Sequence, residues 1–452
     1  MYLNDKKVLV LGLGVTGIST IKALYSLGAK IVVSDTKNEV VLGEILREVS
    51  YIPMEKYLDT NDMDLNNIEL IIKSPGIPPF SNIVKKAIES KIEVITDIEF
   101  AYRISPTKNI VAITGTNGKT TSTILTGEIL HNASLNTHVV GNIGTGILDK
   151  MIDAKADDVF IIEASSFQLE HTSRFKPSVG LITNITPDHL DWHGSFDAYI
   201  KSKFKIFKNQ DESDYLVLNY DDSILRELKD KVNTNIIWFS TKEILPIGIY
   251  IEDEYIIIND GENKDILMPY KELKVLGKHN LENALGCVGI ALALNVELNI
   301  IREVLGKFQG VEHRIEYVLS KNGISFYNDS KGTNTDASIK AIEAINEPII
   351  LIAGGYDKGS KYESFINSFN GKVKALILLG QTKTKIKEAA LASSFTSIYE
   401  VDSMKEAVEL SYRLGDTNDN ILLSPACASW DMYCNYEERG KDFKKEVSNL
   451  ME

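Results

Sequence analysis

The chain has 452 residues, 44% hydrophobic and 25% charged, a composition that suits a globular protein with room for about two to four separately cored domains. Its 49 basic and 63 acidic side chains leave a net charge of −14, and lysines and arginines are nowhere interleaved with aromatics in a block, which argues against nucleic acid or an anionic membrane as partner. Cys287, Cys427 and Cys434 lack metal-ligand spacing and read as free thiols in a reducing compartment. No apolar run approaches membrane-spanning length. Lys6-Lys7 before Val8–Leu11 faintly resembles a signal peptide, but that run is too short and passes straight into a glycine motif, so a cytoplasmic location is expected.

In chain order, Lys7–Leu11 reads as a buried strand, followed by Gly12-Leu13-Gly14-Val15-Thr16-Gly17 and a helix through about Leu27. A second strand, Lys30–Ser34, ends at Asp35, where dinucleotide folds carry a ribose-binding acid. Strand, glycine turn, helix, strand and acid together predict a diphosphate or nucleotide site; a purely structural βα turn is the alternative. Ile68–Ile72 is a further strand, ending in the rigid loop Lys73-Ser74-Pro75-Gly76-Ile77-Pro78, which either lines a ligand or is only a tight turn.

The next stretch organises the rest. Ile110–Thr114 is an apolar strand running into Gly115-Thr116-Asn117-Gly118-Lys119-Thr120-Thr121, and Ile124, Leu125, Ile129 and Leu130 recur at helical spacing after it. Such a loop aims backbone N–H groups and a helix N-terminus at one point, which suits a phosphate. Lys119 would neutralise the outer phosphates and Thr120 would offer a hydroxyl to Mg²⁺. Strand Val159–Ile162 ends at Glu163, and Val179–Ile182 leads to Thr186-Pro187-Asp188-His189-Leu190. Ligands gather at the carboxyl ends of parallel strands, so Glu163 and His189 are candidate ligands for Mg²⁺ or Mn²⁺; helix capping and a loop hydrogen bond are the plain alternatives.

A helix starting near Ser195 places Phe196, Ile200, Phe204 and Phe207 on one apolar face, with Lys203 at its border. A lysine drawn into apolar surroundings loses proton affinity, whereas one that snorkels to water does not. Residues 211–275 are β-rich, with Ile249–Ile251 and Tyr255–Ile258 pairing around Glu252-Asp253-Glu254. Gly277–Ala284 opens an apolar helix on which Asn280 and Asn283 lie one turn apart, placed to read one base edge. Beyond residue 311, strands Pro348–Ile352, Val373–Leu379 and Asn420–Leu423 alternate with helices, predicting another parallel sheet. Polar clusters sit at its strand ends: Asn328–Asn334, Gly354–Gly359 and Ser424–Asp431, suited to a small polar substrate or simply to solvated turns.

Taken together, Gly115–Thr121, Glu163 with Ser165–Leu169, Thr186–Leu190 and Gly277–Asn283 resemble the Mur ligases, ATP-dependent amide-forming enzymes of peptidoglycan precursor synthesis, over nearly the whole chain. Within the family, Asp329–Asn334 and Ser424–Ser429 are similar to the branch that adds D-glutamate. The resemblance implies three α/β domains: a Rossmann-like UDP-sugar domain over residues 1–100, a central P-loop ATPase-type domain with added β structure over 101–310, and a Rossmann-like amino-acid domain over 311–452. It further implies that Val15, Thr16, Asp35 and Thr36 bind UDP, with Ser74, Pro75 and Gly76 nearby and Asn142 close to the reacting end. No hydride cofactor is then expected. Thr120 and Glu163 would hold one Mg²⁺, and His189 with a carbamylated Lys203 a second. Asn280 and Asn283 would contact adenine, Arg314 and Asp329 the rest of ATP, and His313 would lie near the reacting groups. Thr333, Lys358, Ser429 and Tyr436 would hold D-glutamate, Tyr436 through its backbone N–H where relatives carry phenylalanine. A monomer with small-molecule substrates is expected. The rival readings are a nicotinamide-dependent dehydrogenase, which leaves the phosphate loop idle, a non-catalytic ATP switch, which leaves the C-terminal polar clusters idle, and a sibling ligase with another amino acid.

Overall fold

The computed structural model describes residues 3–60, 62–143, 146–275, 277–357 and 359–450. They form two compact units, one of residues 1–272 with 282–306, the other of residues 273–281 with 307–452.

The first unit contains two sheets. One is five-stranded and wholly parallel, in the order Met54–Leu58, Lys30–Asp35, Lys7–Leu11, Leu70–Lys73, Glu93–Ile95. Its central strands are continuous apolar runs because helices cover both faces, and Val8, Leu9, Val33 and Ile71 are all fully buried or within 1% of it. The other is nine-stranded. Its parallel part runs Asn235–Ser240, Tyr215–Asn219, Val179–Ile182, Ile110–Thr114, Val159–Glu163, Thr137–Gly141. Gly248–Glu252 joins Asn235–Ser240 in parallel, then pairs antiparallel with Tyr255–Asn259, which pairs antiparallel with Lys264–Pro269; the turn falls at Asp253-Glu254, as the sequence predicts.

The second unit carries a six-stranded sheet, Glu316–Lys321, Ile324–Asn328, Asn420–Leu423, Ile349–Ala353, Val373–Leu378, Ile398–Glu400, parallel except at the first pair. The order crosses over between Asn420–Leu423 and its two neighbours, so the loops after Asn328, Ala353 and Leu423 emerge at one sheet edge. The three-sheet α/β class predicted from the sequence is the one observed.

One expectation is corrected. The helix Phe196–Phe204, capped by the Ser195 hydroxyl accepting from Ala198 N at 3.2 Å, does not bury the Phe196–Ile200–Phe204 face. It buries Tyr199, Ser202 and Lys203, and the three apolar residues are only half-buried. Lys203 therefore lies on the inward face, not at its border. Among the described residues no helix is long and apolar enough to cross a membrane.

Candidate active site

In the first unit a cavity of about 650 Å³ opens where strands Lys7–Leu11, Lys30–Asp35 and Leu70–Lys73 end. Of the residues expected to meet UDP, Asp35, Thr36, Ser74 and Gly76 line it; Val15, Thr16 and Pro75 do not. Val15 is exposed at the first turn of the helix Val15–Ser26, the Thr16 carbonyl accepts the Ser19 and Thr20 hydroxyls, and the Pro75 carbonyl faces Lys73 Nζ. Asp35 also organises the turn, accepting Leu13 N at 2.7 Å and Lys37 N at 2.9 Å, while the Ser74 hydroxyl donates to Gly12 O at 3.2 Å.

The phosphate loop is shaped by two glycines. Gly115 (φ 147) and Gly118 (φ 86) occupy backbone states that side chains resist, and a Cβ would overlap the Thr183 hydroxyl at the first and the Asn283 amide at the second. The end of Val179–Ile182 braces this loop: Thr116 N donates to Asn184 O at 2.9 Å, Asn117 N to Asn184 Oδ1 at 3.0 Å, and Thr183 Oγ1 to Asn117 O at 2.6 Å. Lys119 Nζ folds onto Gly115 O (2.9 Å) and Thr116 O (2.8 Å), and Thr120 and Thr121 are buried in the first turn of Lys119–Asn132.

Glu163 is in register with Ile113, the residue two before Gly115, and only 2% exposed. Its Oε1 accepts Asn142 Nδ2 at 3.3 Å, while Oε2 is buried with no hydrogen-bond partner among the described residues. An orphaned buried carboxylate oxygen is costly, and a divalent cation is the chemistry that relieves it, so Glu163 with Thr120 fits a Mg²⁺ or Mn²⁺ site. Lys203 is 1% exposed; its Nζ donates to Gly115 O at 2.6 Å, lies 3.4 Å from Thr114 Oγ1, and sits 4.7 Å from the Tyr199 ring centroid. Burial, reinforced by the charge of Lys119, pushes this amine well below its ordinary pKa. The structure decides between the two sequence readings: Lys203 is buried and does not snorkel.

His189 (φ 51) is exposed, its ring 4.8 Å from Phe167 and its Nε2 3.5 Å from Asp188 Oδ2. Two neighbours went unnoticed in the sequence. Tyr199 OH meets Thr116 Oγ1 at 3.0 Å, tying the Lys203 helix to the loop. His193 shares protons with Ser166 Oγ (3.0 Å) and Ser202 Oγ (3.3 Å), and burial lowers its pKa to about 4, so it is neutral at pH 7.

In the second unit, Asn280 and Arg314 line one cavity of about 230 Å³ with Lys274, Tyr317 and Tyr327, while in the first unit the Asn283 amide packs against Gly118. Both amides lie one turn apart on the helix Lys278–Ala293. Asp329 is 4% exposed; Oδ2 accepts Ser424 Oγ at 2.6 Å, Oδ1 accepts Ile315 N at 3.3 Å, and burial pushes the acid up to about 7. His313 (φ 65) is 3% exposed, its Nδ1 2.9 Å from Asn328 Nδ2 and its ring 6.2 Å from that of Tyr436. Glu312 and Glu316 flank it, but Lys444 Nζ lies 2.6 Å and 2.8 Å from their oxygens, so a cation already serves that cluster.

Thr333 is half-buried before the helix Thr335–Ala344, Ser429 is 2% exposed, and Tyr436 opens the helix Tyr436–Asn449; Lys358 lies outside the described residues. The loops carrying Thr333 and Ser429 are joined by a residue the sequence gave no reason to single out. Arg439, 2% exposed, donates from Nε to Ser330 Oγ (3.0 Å), from Nη1 to Ala428 O (3.2 Å), and from Nη2 to Ser330 O (2.8 Å) and Cys427 O (3.1 Å). Burial lowers its pKa only to about 10, so the charge persists at pH 7.

Three family models cover most of the chain. The Mur ligase MurD-like N-terminal domain matches residues 6–96, the Mur ligase middle domain 113–291, and the Mur ligase glutamate ligase domain 313–427. A UDP-N-acetylmuramoylalanine--D-glutamate ligase of Caldanaerobacter subterraneus subsp. tengcongensis is 47% identical over 453 aligned residues, covering all of both chains. The chain belongs to the Mur ligase family. An enzyme of the same description from Clostridioides difficile is 45% identical, again over the full length of both. Among solved structures, this Mur ligase resembles a UDP-N-acetylmuramate-alanine ligase of Thermotoga maritima (19% identity, TM-score 0.61, 98% of this chain and 99% of that one). It also resembles a MurF ligase of Thermotoga maritima in complex with ADP (16% identity, TM-score 0.57, 99% and 96%). At these identities the likeness speaks for the fold alone.

Proposed function

We infer that this chain is an ATP-dependent ligase that joins D-glutamate to UDP-N-acetylmuramoyl-L-alanine in peptidoglycan precursor synthesis, releasing ADP and phosphate. The observation that carries this reading is the full-length identity of 47% to a UDP-N-acetylmuramoylalanine--D-glutamate ligase. The geometry supports it with a phosphate loop, a buried acid with an unmet oxygen, and a lysine made less basic by burial.

In the proposed reaction the alanyl carboxylate attacks the γ-phosphorus of ATP, forming an acyl phosphate and releasing ADP. The amine of D-glutamate then attacks the acyl carbon, and the tetrahedral intermediate expels phosphate. Lys119 and the N–H groups of Gly115–Thr121 bind and orient the phosphates. Thr120 and Glu163 would hold one Mg²⁺, and His189 with Lys203 a second; such ions offset charge on the phosphoryl oxygens, and Mn²⁺ suits the same donors. For that role the neutral Lys203 amine adds to CO₂, forming a nitrogen–carbon bond and releasing one proton, which turns the lysine into an anionic ligand. Asn280, Asn283, Arg314 and Asp329 are assigned to ATP, with His313 near the reacting groups. Val15, Thr16, Asp35, Thr36, Ser74, Pro75, Gly76 and Asn142 are assigned to the UDP substrate, and Thr333, Lys358, Ser429 and Tyr436 to D-glutamate. The division of labour follows residues 1–100, 101–310 and 311–452, in a cytoplasmic monomer that uses no nucleic acid.

The test is phosphate release from ATP with UDP-N-acetylmuramoyl-L-alanine and a panel of amino acids of both hands. Release with D-glutamate alone is expected. Release with another amino acid would move the chain to a sibling activity, and no release with any would overturn the ligase reading.

A further inference from the structure

Lys73 ends the strand Leu70–Lys73 with 0% exposure and has no ion pair among the described residues. An ammonium has three donors and no acceptor, and a buried one is stable only if all are met. Here Nζ donates to Ile77 O at 2.8 Å and to Ser74 O and Pro75 O at 3.4 Å each. The indole of Trp192 lies 5.6 Å from Nζ, and its Nε1 donates to Gly76 O at 3.4 Å. Four successive carbonyls, those of residues 74–77, are thus drawn to Lys73 and Trp192, neither of which lines the cavity of about 650 Å³. Ser74, Gly76 and Ile77 line that cavity directly. A carbonyl oxygen turned into a diphosphate site would repel the ligand, so which way this loop's dipoles point decides whether the rim accepts an anion.

We propose that Lys73 is a positioning residue for the UDP-linked substrate, holding the carbonyls of Ser74–Ile77 out of the cavity so that its rim can receive the diphosphate. This rests on the UDP-sugar reading above. The charged groups facing Lys73 are Asp97, on the helix Asp97–Ile104, and Glu170, on Ser166–Glu170, both of which favour its proton; Lys205 pairs with Glu170 at 3.0 Å. His171, beside them, is neutral above about pH 4. Burial outweighs the two acids and brings Lys73 down to about 8. Above that pH the ammonium loses a donor, the loop is released, and affinity for the anionic substrate falls as pH rises.

The test is calorimetric titration of UDP-N-acetylmuramoyl-L-alanine, and of UDP alone, into the full chain and its Lys73→Met variant from about pH 7 to about pH 9. In wild type the affinity is expected to fall about tenfold across that range, the change for a single group titrating near 8 whose proton is needed for binding. Lys73→Met is expected to bind about tenfold more weakly at pH 7, with a flat pH profile and ATP affinity unchanged within about twofold. Equal affinity in the two proteins, or the same fall with pH in both, would overturn the proposal. Should Lys73→Met not fold, a flat wild-type profile for both ligands overturns it alone. Failure of wild type to bind the UDP-sugar at all would instead overturn the functional reading.

Discussion

Lys203 in the first unit and Arg439 in the second make an informative pair. Each is a basic side chain on a helix, each is at most 2% exposed, and among the described residues each is hydrogen-bonded by carbonyl and hydroxyl oxygens rather than by a carboxylate. Their fates differ because their chemistry does. A primary amine holds its proton less tightly when water is removed, so burial makes Lys203 much less basic than an ordinary lysine. A guanidinium delocalises its charge and spreads its donors in a plane, so Arg439 keeps its proton and fastens Ser330 to Cys427 and Ala428. The same burial weakens the base at one site and leaves a charged clamp at the other.

The largest effect that tests this contrast belongs to Lys203. Lys203→Ala is expected to lower kcat at least about a thousandfold, because the proposed carbamate ligand at the phosphoryl transfer site is then lost. The melting temperature should move by only a few degrees, since the amine's hydrogen bonds are worth about 1 kcal/mol apiece. Steady-state kinetics beside a thermal melt reads both; wild-type turnover in the variant would end the carbamate role. Arg439→Met should invert the pattern. It strands the carbonyls of Ser330, Cys427 and Ala428, costing about 3 kcal/mol of stability, and the loosened loops should raise KM for D-glutamate about tenfold with KM for the UDP substrate unchanged. Arg439→Lys, with a charge but no planar fork, should recover part of the stability in denaturant melts.

These two basic side chains also show how far the sequence could be read. The phosphate loop was legible because its function demands backbone states that only glycine adopts easily, and Gly115 and Gly118 stand at positive φ as the motif requires. The parallel parts of the three sheets were legible from continuous apolar strands flanked by helices. Lys203 was half legible: periodicity marked it as unusual but named the wrong face, because apolar count does not distinguish a half-exposed Phe196–Phe204 stripe from a buried face built of Tyr199, Ser202 and Lys203. Arg439 was illegible, since it sits in Glu437-Glu438-Arg439-Gly440-Lys441, where every charge looks solvated. Lys73 hid in the same way, as a lysine closing an apolar strand. In both cases burial is imposed by segments far away in sequence, Ser330 and Cys427 for one and Trp192 for the other, and no local pattern records such contacts.

The smallest effect concerns Asp329, a buried acid near Arg439 in the second unit. Asp329 has an ordinary carboxyl pKa of 3.8 and is raised to about 7 in the fold, chiefly by burial, against the pull of Ser424 and Arg314. The folded state therefore holds a proton that the unfolded chain has released between those two values, and stability falls as pH rises through that window. Asn at this position cannot ionise and keeps one acceptor for the Ser424 hydroxyl. Asp329→Asn is accordingly expected to melt with wild type near pH 5 and above it near pH 8, by about 1–2 kcal/mol once local relaxation is allowed for. On the proposed assignment of Asp329 to ATP, the same variant should also lose ATP affinity. A variant less stable than wild type at pH 8 would mean that Asp329 is ionised and fully compensated in the unliganded protein, and that the second unit, unlike the first, tolerates a buried charge of either sign.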